Sequence, residues 1–228
     1  MDLAALPFFR PFPRDSLAGL AATARWHRYA AGQTIIEVGE AGRDVFLVAE
    51  GTLRIATGSS GGHEMILGEI GPGALFGEIS AIDGAGRSAG VVALTKARVC
   101  VLPSDAFLAF ALATPAASLQ LMRTLAALVR EKDARLLELG ALPVRPRLVA
   151  LLLRLARQRA SGGKIVSPPR PHHELAARIG TRREVVSRNM SALLSEGLVE
   201  QTRGGLVLPR PEALENELDA AWGAALQR

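Results

Sequence analysis

Glu78 and Arg87, one carboxylate and one guanidinium, bracket a run of small residues in Phe-Gly-Glu-Ile-Ser-Ala-Ile-Asp-Gly-Ala-Gly-Arg-Ser-Ala, residues 76–89. Residues 78–82 can form one helical turn whose free N–H groups, at Gly77, Glu78 and Ile79, face an anion. Gly77 lets the backbone come close. Arg87 offers a planar donor fork that fits phosphate oxygens better than lysine would, and Ser88 adds a hydroxyl donor beside it. An ionised Glu78 only accepts, so it repels phosphate but takes a hydrogen bond from a sugar hydroxyl. The combination suggests a nucleotide. An ordinary surface ion pair flanking a Gly-rich hairpin is the alternative for the same two side chains.

A second set of residues can do chemistry in Glu-Leu-Ala-Ala-Arg-Ile-Gly-Thr-Arg-Arg-Glu-Val-Val-Ser-Arg, residues 174–188. Leu175, Ile179, Val185 and Val186 are spaced to form a seam between two helices, with Ala176 and Gly180 allowing a close crossing. Thr181 is expected as the N-cap of the second helix, with Glu184 completing a capping box. That helix then exposes Arg183, Glu184, Ser187 and Arg188. Arginine can bond guanine in bidentate fashion and glutamate can accept from the cytosine amino group, so this face suits the major groove. Beyond Gly197, residues 198–202 and 206–208 flank Arg203-Gly204-Gly205, a hairpin that reads as a wing with Arg203 at its tip for a phosphate. A solvated helix face is the plainer reading of each arginine alone.

The elements that must position these groups can be read coarsely. Between residues 33 and 102 short β runs (34–36, 45–48, 53–55, 65–67, 91–94 and 98–102) alternate with turn glycines at 39, 42, 51, 58, 61–62, 71, 73, 84 and 86, which implies a sandwich or rolled barrel. Residues 115–139 lack glycine and internal proline and predict a long helix. Leu121, Leu125, Leu128, Arg135, Leu139 and Leu142 recur on one face, and Met122, Ala126, Val129 and Leu136 on another. One stripe suffices for a monomer; two suggest that the second meets the same helix of another subunit. Gly140, Pro143 and Pro146 should end this helix and mark a hinge. A helix over 147–159, a Gly/Pro break over 161–171 and an amphipathic helix over 212–226, with Leu214, Leu218 and Trp222 at four-residue steps and packing on the winged domain expected ahead of a partner-protein contact, complete the expectation.

Among the 228 residues, 49% are apolar and 21% charged, which argues for packed globular structure. Charge is unevenly spread. Residues 1–140 hold 13 Lys/Arg and 14 Asp/Glu, whereas residues 141–228 hold 14 and 8, a basic bias that marks nucleic-acid-binding modules. The single cysteine, Cys100, reads as a buried strand position and excludes an intrachain disulfide. It also leaves no cysteine set for zinc or an iron–sulfur cluster, and His27, His63, His172 and His173 lack metal-site spacing, so no metal or haem is expected. Adjacent His172 and His173 point in different directions. Apolar runs are too short for a membrane span, and a cytoplasmic protein is expected. No Ser/His/Asp or Cys/His arrangement supports catalysis.

Residues 76–89 resemble the phosphate-binding cassette of cyclic-nucleotide-binding domains, and from about residue 17 to 209 the chain resembles the Crp-Fnr regulators. The resemblance implies an α+β chain: an N-terminal double-stranded β-helix or jelly-roll sensor domain (1–110), a long dimerisation helix (111–141) and a C-terminal winged helix-turn-helix (142–228). It implies a homodimeric transcriptional regulator with a cyclic nucleotide, cAMP or cGMP before cyclic di-GMP, held by Gly77, Glu78, Ile79, Arg87, Ser88 and Ala89. Lys132 and Asp133 stand where cAMP-binding members carry the adenine-reading hydroxyls. The implied DNA-facing set is Thr181, Arg182, Arg183, Glu184, Ser187, Arg188 and Arg203. Ser187 matches the Fnr-branch variant Glu-x-x-Ser-Arg, although the cysteine cluster of that branch is absent. A palindromic double-stranded site with a TGA-type half-site core, and RNA polymerase as a further partner, follow from the same resemblance.

Overall fold

The computed structural model describes residues 2–58, 64–160 and 162–227, so His63, most of the expected glycine turn at 58–62 and Ser161 lie outside the described residues. The chain divides into two units, Met1–Leu128 and Val129–Arg228. In the first, a 3₁₀ turn (Leu3–Ala5) and α1 (Arg14–Thr23) precede β1 (Arg25–Tyr29), β2 (Thr34–Ile36), β3 (Val45–Glu50), β4 (Leu53–Gly58), β5 (Glu64–Ile70) and β6 (Leu75–Phe76). Then come α2 (Glu78–Asp83), β7 (Gly90–Ala93), β8 (Ala97–Leu102), α3 (Ser104–Ala113) and the long α4 (Pro115–Ala141), whose last turns belong to the second unit.

Two antiparallel four-stranded sheets, ordered β1-β8-β3-β6 and β2-β7-β4-β5, make the double-sheet roll that the strand pattern predicts. Alternation along β3 and β8 explains why these runs are continuously apolar. Phe46, Val48, Val99 and Val101 face Ile36, Leu53, Val91 and Ala93 of the other sheet. Val45, Leu47, Cys100 and Leu102 point the opposite way, into a second cluster with Phe8, Phe9, Phe107 and Leu121. A sheet covered on both faces needs apolar residues at every position. β1 escaped the sequence reading because Arg-Trp-His-Arg-Tyr is an edge strand with mostly exposed side chains, stabilised by its pairing with β8. The two-residue β6 is too short to carry a pattern.

The second unit continues with α5 (Val144–Leu155), β9 (Arg157–Gln158), β10 (Lys164–Val166), α6 (His172–Ile179), α7 (Arg183–Ser195), β11 (Glu200–Thr202), β12 (Gly205–Leu208) and α8 (Pro211–Ala225). Three expectations need correction. The helix placed over 147–159 spans Val144–Leu155, because Pro146 falls in its first turn, where a missing N–H costs nothing. The hinge therefore shrinks to Leu142 and Pro143, since α4 runs through Gly140 and Pro143 is the N-cap of α5. The break over 161–171 contains β10, which with β9 extends the wing into a sheet ordered β11-β12-β10-β9. At the wing, Gly205 has φ +153 and a Cβ there would sit 2.2 Å from Val166 O, so only glycine lets these strands pair.

One core holds this unit together. Leu148, Leu152, Leu175, Ile179, Val186, Met190 and Leu193 join the wing residues Leu206 and Leu208 and the tail residue Leu214, with Leu218 packed against them. The C-terminal helix is thus part of the winged module, as its apolar spacing predicts. Around this core Arg145 ties three helices: its guanidinium donates in bidentate fashion to Glu196 at the end of α7 (2.7 and 2.6 Å) and to Glu217 of α8 (2.7 and 2.9 Å). The hydrogen bonds from Arg145 hold the Glu196 carboxyl below its ordinary range. A depressed carboxylate pKa contributes stability above the unfolded-state value, about 4.3, which is lost as pH falls through the lower folded-state value. Thermal melts of the full chain should therefore show Arg145→Met lowering the unfolding temperature of the second unit at pH 7, with the deficit shrinking toward pH 3. A deficit that stays constant with pH would mean that Arg145 stabilises through packing alone.

Candidate functional site

The cassette residues come together in the first unit around a single buried side chain. Arg87, 4% exposed, donates from Nη1 to Gly77 O (3.0 Å) and from Nη2 to Asp44 O (2.8 Å), and its guanidinium lies 5.3 Å from the Phe46 ring centroid. Its own backbone is paired with residues 39 and 40, Arg87 N to Glu40 O at 3.0 Å and Gly39 N to Arg87 O at 2.8 Å. The guanidinium thereby fixes the N-terminus of α2 against β3. Gly77 is essential to this arrangement: φ is +81, and a Cβ would meet Arg87 Nη1 at 2.8 Å and Asp44 O at 2.9 Å. At the other end of α2, Gly84 N donates to Ser80 O, Asp83 Oδ1 accepts from Ala85 N, and Arg43 Nη2 donates to Gly84 O.

Glu78 is buried on the first turn of α2, and Ile79 and Ser88 are exposed, with Ala89 half-buried beside Ser88. Glu78 and Arg87 do not form the surface ion pair considered above; both are buried and neither side chain bridges to the other. Burial pushes the Glu78 carboxyl up, against smaller downward pulls from its own backbone N–H and from Arg87. Burial also lowers the Arg87 pKa, opposed by Glu40, then Asp44, then Glu78. The Arg87 Nε is buried without a hydrogen-bond partner. A guanidinium with one unpartnered donor, the tight backbone turn at Gly77, exposed Ser88 and the buried acceptor Glu78 are the donor and acceptor types that a phosphate ester with a sugar hydroxyl calls for. Lys132 and Asp133 are exposed on α4, in the part of that helix that belongs to the second unit.

In the second unit α6 and α7 cross on Leu175, Ile179, Val186 and Met190, all buried; Val185 is only half-buried. Gly180 takes φ +61, and the N–H groups of Gly180 and Thr181 both turn back to Ala176 O. This leaves the carbonyls of the last turn of α6 without helical partners. Two arginines from other helices supply them: Arg147 of α5 donates to Ile179 O at 2.8 Å, and Arg135 of α4 donates to Arg178 O. Arg135 is in turn held by Glu138 at 3.1 Å, and Glu138 also receives Arg154. Burial lowers the Arg135 pKa and Arg154 lowers it further, with Glu138 opposing. Buried Glu174 and Arg178 pair one turn apart on α6, with Arg170 joining Glu174 at 3.0 Å.

The expected capping box is not formed. Arg182, not Thr181, occupies the N-cap of α7, with φ −92 and ψ 151 and no side-chain cap bond, because the Schellman-like turn at Gly180 carries the chain one residue further before α7 begins. Arg183, Glu184 and Arg188 are exposed on α7, as is Arg203 at the wing tip, while Thr181 is half-buried. Ser187 is half-buried too, and its hydroxyl lies 2.8 Å from Nδ1 of His172 on α6. Sequence reading weighed His172 only as a metal ligand and missed this contact, since nothing local links residues fifteen apart across a turn. Phe46, Asp44 and Glu40 around Arg87 were missed for a similar reason. Among the described residues no group of three or more His, Cys, Asp or Glu is placed to hold a metal ion, and no single helix is long and apolar enough to cross a membrane.

The two sites correspond to two family models, a cyclic nucleotide-binding domain over residues 26–113 and a Crp-like helix-turn-helix domain over residues 146–217. The chain is 38% identical to a cyclic AMP receptor protein of Thermus thermophilus, covering 86% of this chain and 88% of that protein. It is 25% identical to a CRP-like cAMP-activated global transcriptional regulator of Mycobacterium tuberculosis, over 93% of this chain and 96% of the relative. Among solved structures, a CRP/FNR-family transcriptional regulator from Thermus thermophilus superposes with a TM-score of 0.70 at 25% identity, covering 86% of this chain and 98% of the other. A roll with a phosphate-type cassette, a long helix and a winged helix-turn-helix thus occur here in the order and over the length of these relatives, and the chain belongs to the Crp-Fnr family of transcriptional regulators.

Proposed function

We propose that the chain is a homodimeric, sequence-specific DNA-binding regulator whose activity is set by a cyclic nucleotide held in the N-terminal roll. The observation that carries this reading is the buried Arg87 with an orphaned Nε, set beside the Gly77 cradle and buried Glu78. In this reading Gly77, Glu78, Ile79, Arg87, Ser88 and Ala89 hold phosphate and ribose, and Lys132 and Asp133 face the base. cAMP is the first candidate, since two relatives are named for it, and cGMP the second. Met122, Val129 and Leu136, exposed by 56%, 56% and 70% along α4, supply a helical stripe for a second copy. Two α7 helices in a symmetric dimer meet palindromic half-sites about 34 Å apart, with Glu184 and Arg188 reading a TGA-type core. RNA polymerase is the partner such a regulator acts on, in the cytoplasm. Residues 1–110 act as sensor, 111–141 as dimerisation helix and 142–228 as DNA-binding domain. Control requires the effector to bind the DNA-competent arrangement more tightly than the other.

A second reading has its own observation. Arg87 already satisfies two main-chain carbonyls and stacks near Phe46, so the cassette can serve as a purely structural bolt in an effector-independent regulator. Calorimetric titration of the full chain with cAMP, cGMP and cyclic di-GMP separates the two. Saturable binding of one nucleotide supports the sensor, and Ser88→Ala, which disturbs no internal hydrogen bond, should weaken it about tenfold, the worth of one bond to a charged group. Absence of binding to all three leaves the structural bolt. Arg87→Ala should in either case lower stability by about 2–4 kcal/mol, by orphaning two part-buried carbonyls.

The DNA reading makes a separate pair of predictions for gel-shift titrations on a TGA-containing palindrome. Arg188→Ala should cost about 1–3 kcal/mol and relax preference at one base pair. Arg203→Ala should weaken all sequences alike and reduce the salt slope by about 1. Equal loss of preference in both variants would count against the division between base and phosphate contacts.

A further inference from the structure

We infer that His172 is a specificity-determining positioning residue, which sets the direction and polarity of the hydrogen bond Ser187 offers to a base edge. This rests on the reading of α7 as the DNA-facing helix. Ser187 lies on that helix between exposed Glu184 and Arg188, yet its hydroxyl is held at 2.8 Å by His172 Nδ1. A free serine rotates among three staggered positions and can give or accept equally well, so by itself it discriminates poorly between bases. Tethering removes that freedom.

The tautomer of His172 then decides what remains. With the proton on Nδ1, the imidazole donates to Ser187 Oγ, and the serine O–H is left to donate to an acceptor edge, thymine O4 or guanine O6 and N7. With the proton on Nε2, Nδ1 accepts the serine O–H, and the Ser187 lone pairs are left to accept from the amino group of adenine or cytosine. One imidazole proton thus separates two base classes at one position of the half-site. His172 occupies the first turn of α6, just beyond Pro171, and α6 is packed on α7 through their shared core. Its placement relative to Ser187 is therefore set by the packed helix pair and not by a loop. His172 is half-exposed and is not a member of the buried core, so the unfolding temperature of each variant separates recognition from folding.

The test is base-preference profiling of the full chain, by selection from a duplex library randomised across both half-sites, with 1 mM cAMP and without nucleotide, for wild type, Ser187→Ala, His172→Phe and His172→Asn. The inference expects wild type to prefer one base class at a position where Ser187→Ala is flat. His172→Phe, which keeps a ring without a nitrogen, should lose that preference at the same position by about fivefold or more. His172→Asn, whose amide can stand near the place of Nδ1, should recover part of it, while preferences read by Glu184 and Arg188 and the unfolding temperature stay unchanged. If His172→Phe keeps the wild-type profile while Ser187→Ala is flat, the positioning role is overturned and the base-reading role of Ser187 stands. If Ser187→Ala itself leaves every preference intact, Ser187 reads no base and the inference is overturned, whereas a wild type without any base preference would overturn the reading of α7 on which it rests. Should His172→Phe not fold, His172→Ala, which only removes a half-exposed ring, gives the same decision.

Discussion

Carbonyl oxygens stranded where the chain leaves a regular element are the constraint on which both units depend. Each helix C-terminus frees several acceptors, and a buried acceptor without a partner costs about as much as the hydrogen bond it lacks. This chain answers with arginine. Arg87 takes Gly77 O and Asp44 O, Arg43 takes Gly84 O, Arg147 takes Ile179 O and Arg135 takes Arg178 O. The guanidinium suits the task because its donors are fixed in one plane and its charge survives partial burial. Each of these bonds reaches across from another element, so the same contact that satisfies a turn also ties two elements together.

The consequence for function differs between the units. In the roll, the arginine that satisfies the turn before α2 is also the one proposed to meet an anion, so in that reading architecture and binding share a side chain. In the winged module the roles are separated. Arg135 and Arg147 bond the last carbonyls of α6, while Arg183, Arg188 and Arg203, the ones proposed to meet DNA, are exposed. Because Arg135 sits on the last turns of α4, the end of the long helix and the first helix of the helix-turn-helix are fastened within one unit.

Much of this was legible in the sequence for physical reasons. Short apolar β runs separated by turn glycines marked the roll, the doubled stripe marked α4, and Leu175, Ile179 and Val186 marked the helix pair, because each pattern is a direct projection of burial. β1 was not, since an edge strand is stabilised by its partner's backbone and needs no apolar code. The start of α5 was misplaced because Pro146 reads as a breaker, whereas a first-turn proline is compatible with a helix. The capping box failed for a related reason: Thr181 and Glu184 have the right spacing, but the turn at Gly180 settles where α7 begins. Contacts between residues far apart in sequence, such as Arg87 with Asp44 or His172 with Ser187, have no local signature at all.

Cys100, the chain's only cysteine, lies fully buried where β8 pairs with β1 and β3, and burial pushes its thiol up to about 12. At neutral pH the nucleophilic thiolate is almost absent while the roll is closed, and an unfolded chain restores the ordinary value near 8.5. The molecule therefore carries a built-in clock. The rate at which a thiol reagent labels Cys100 counts openings of the sheet between the two apolar clusters, and it does so for the first unit alone, whatever the winged module is doing.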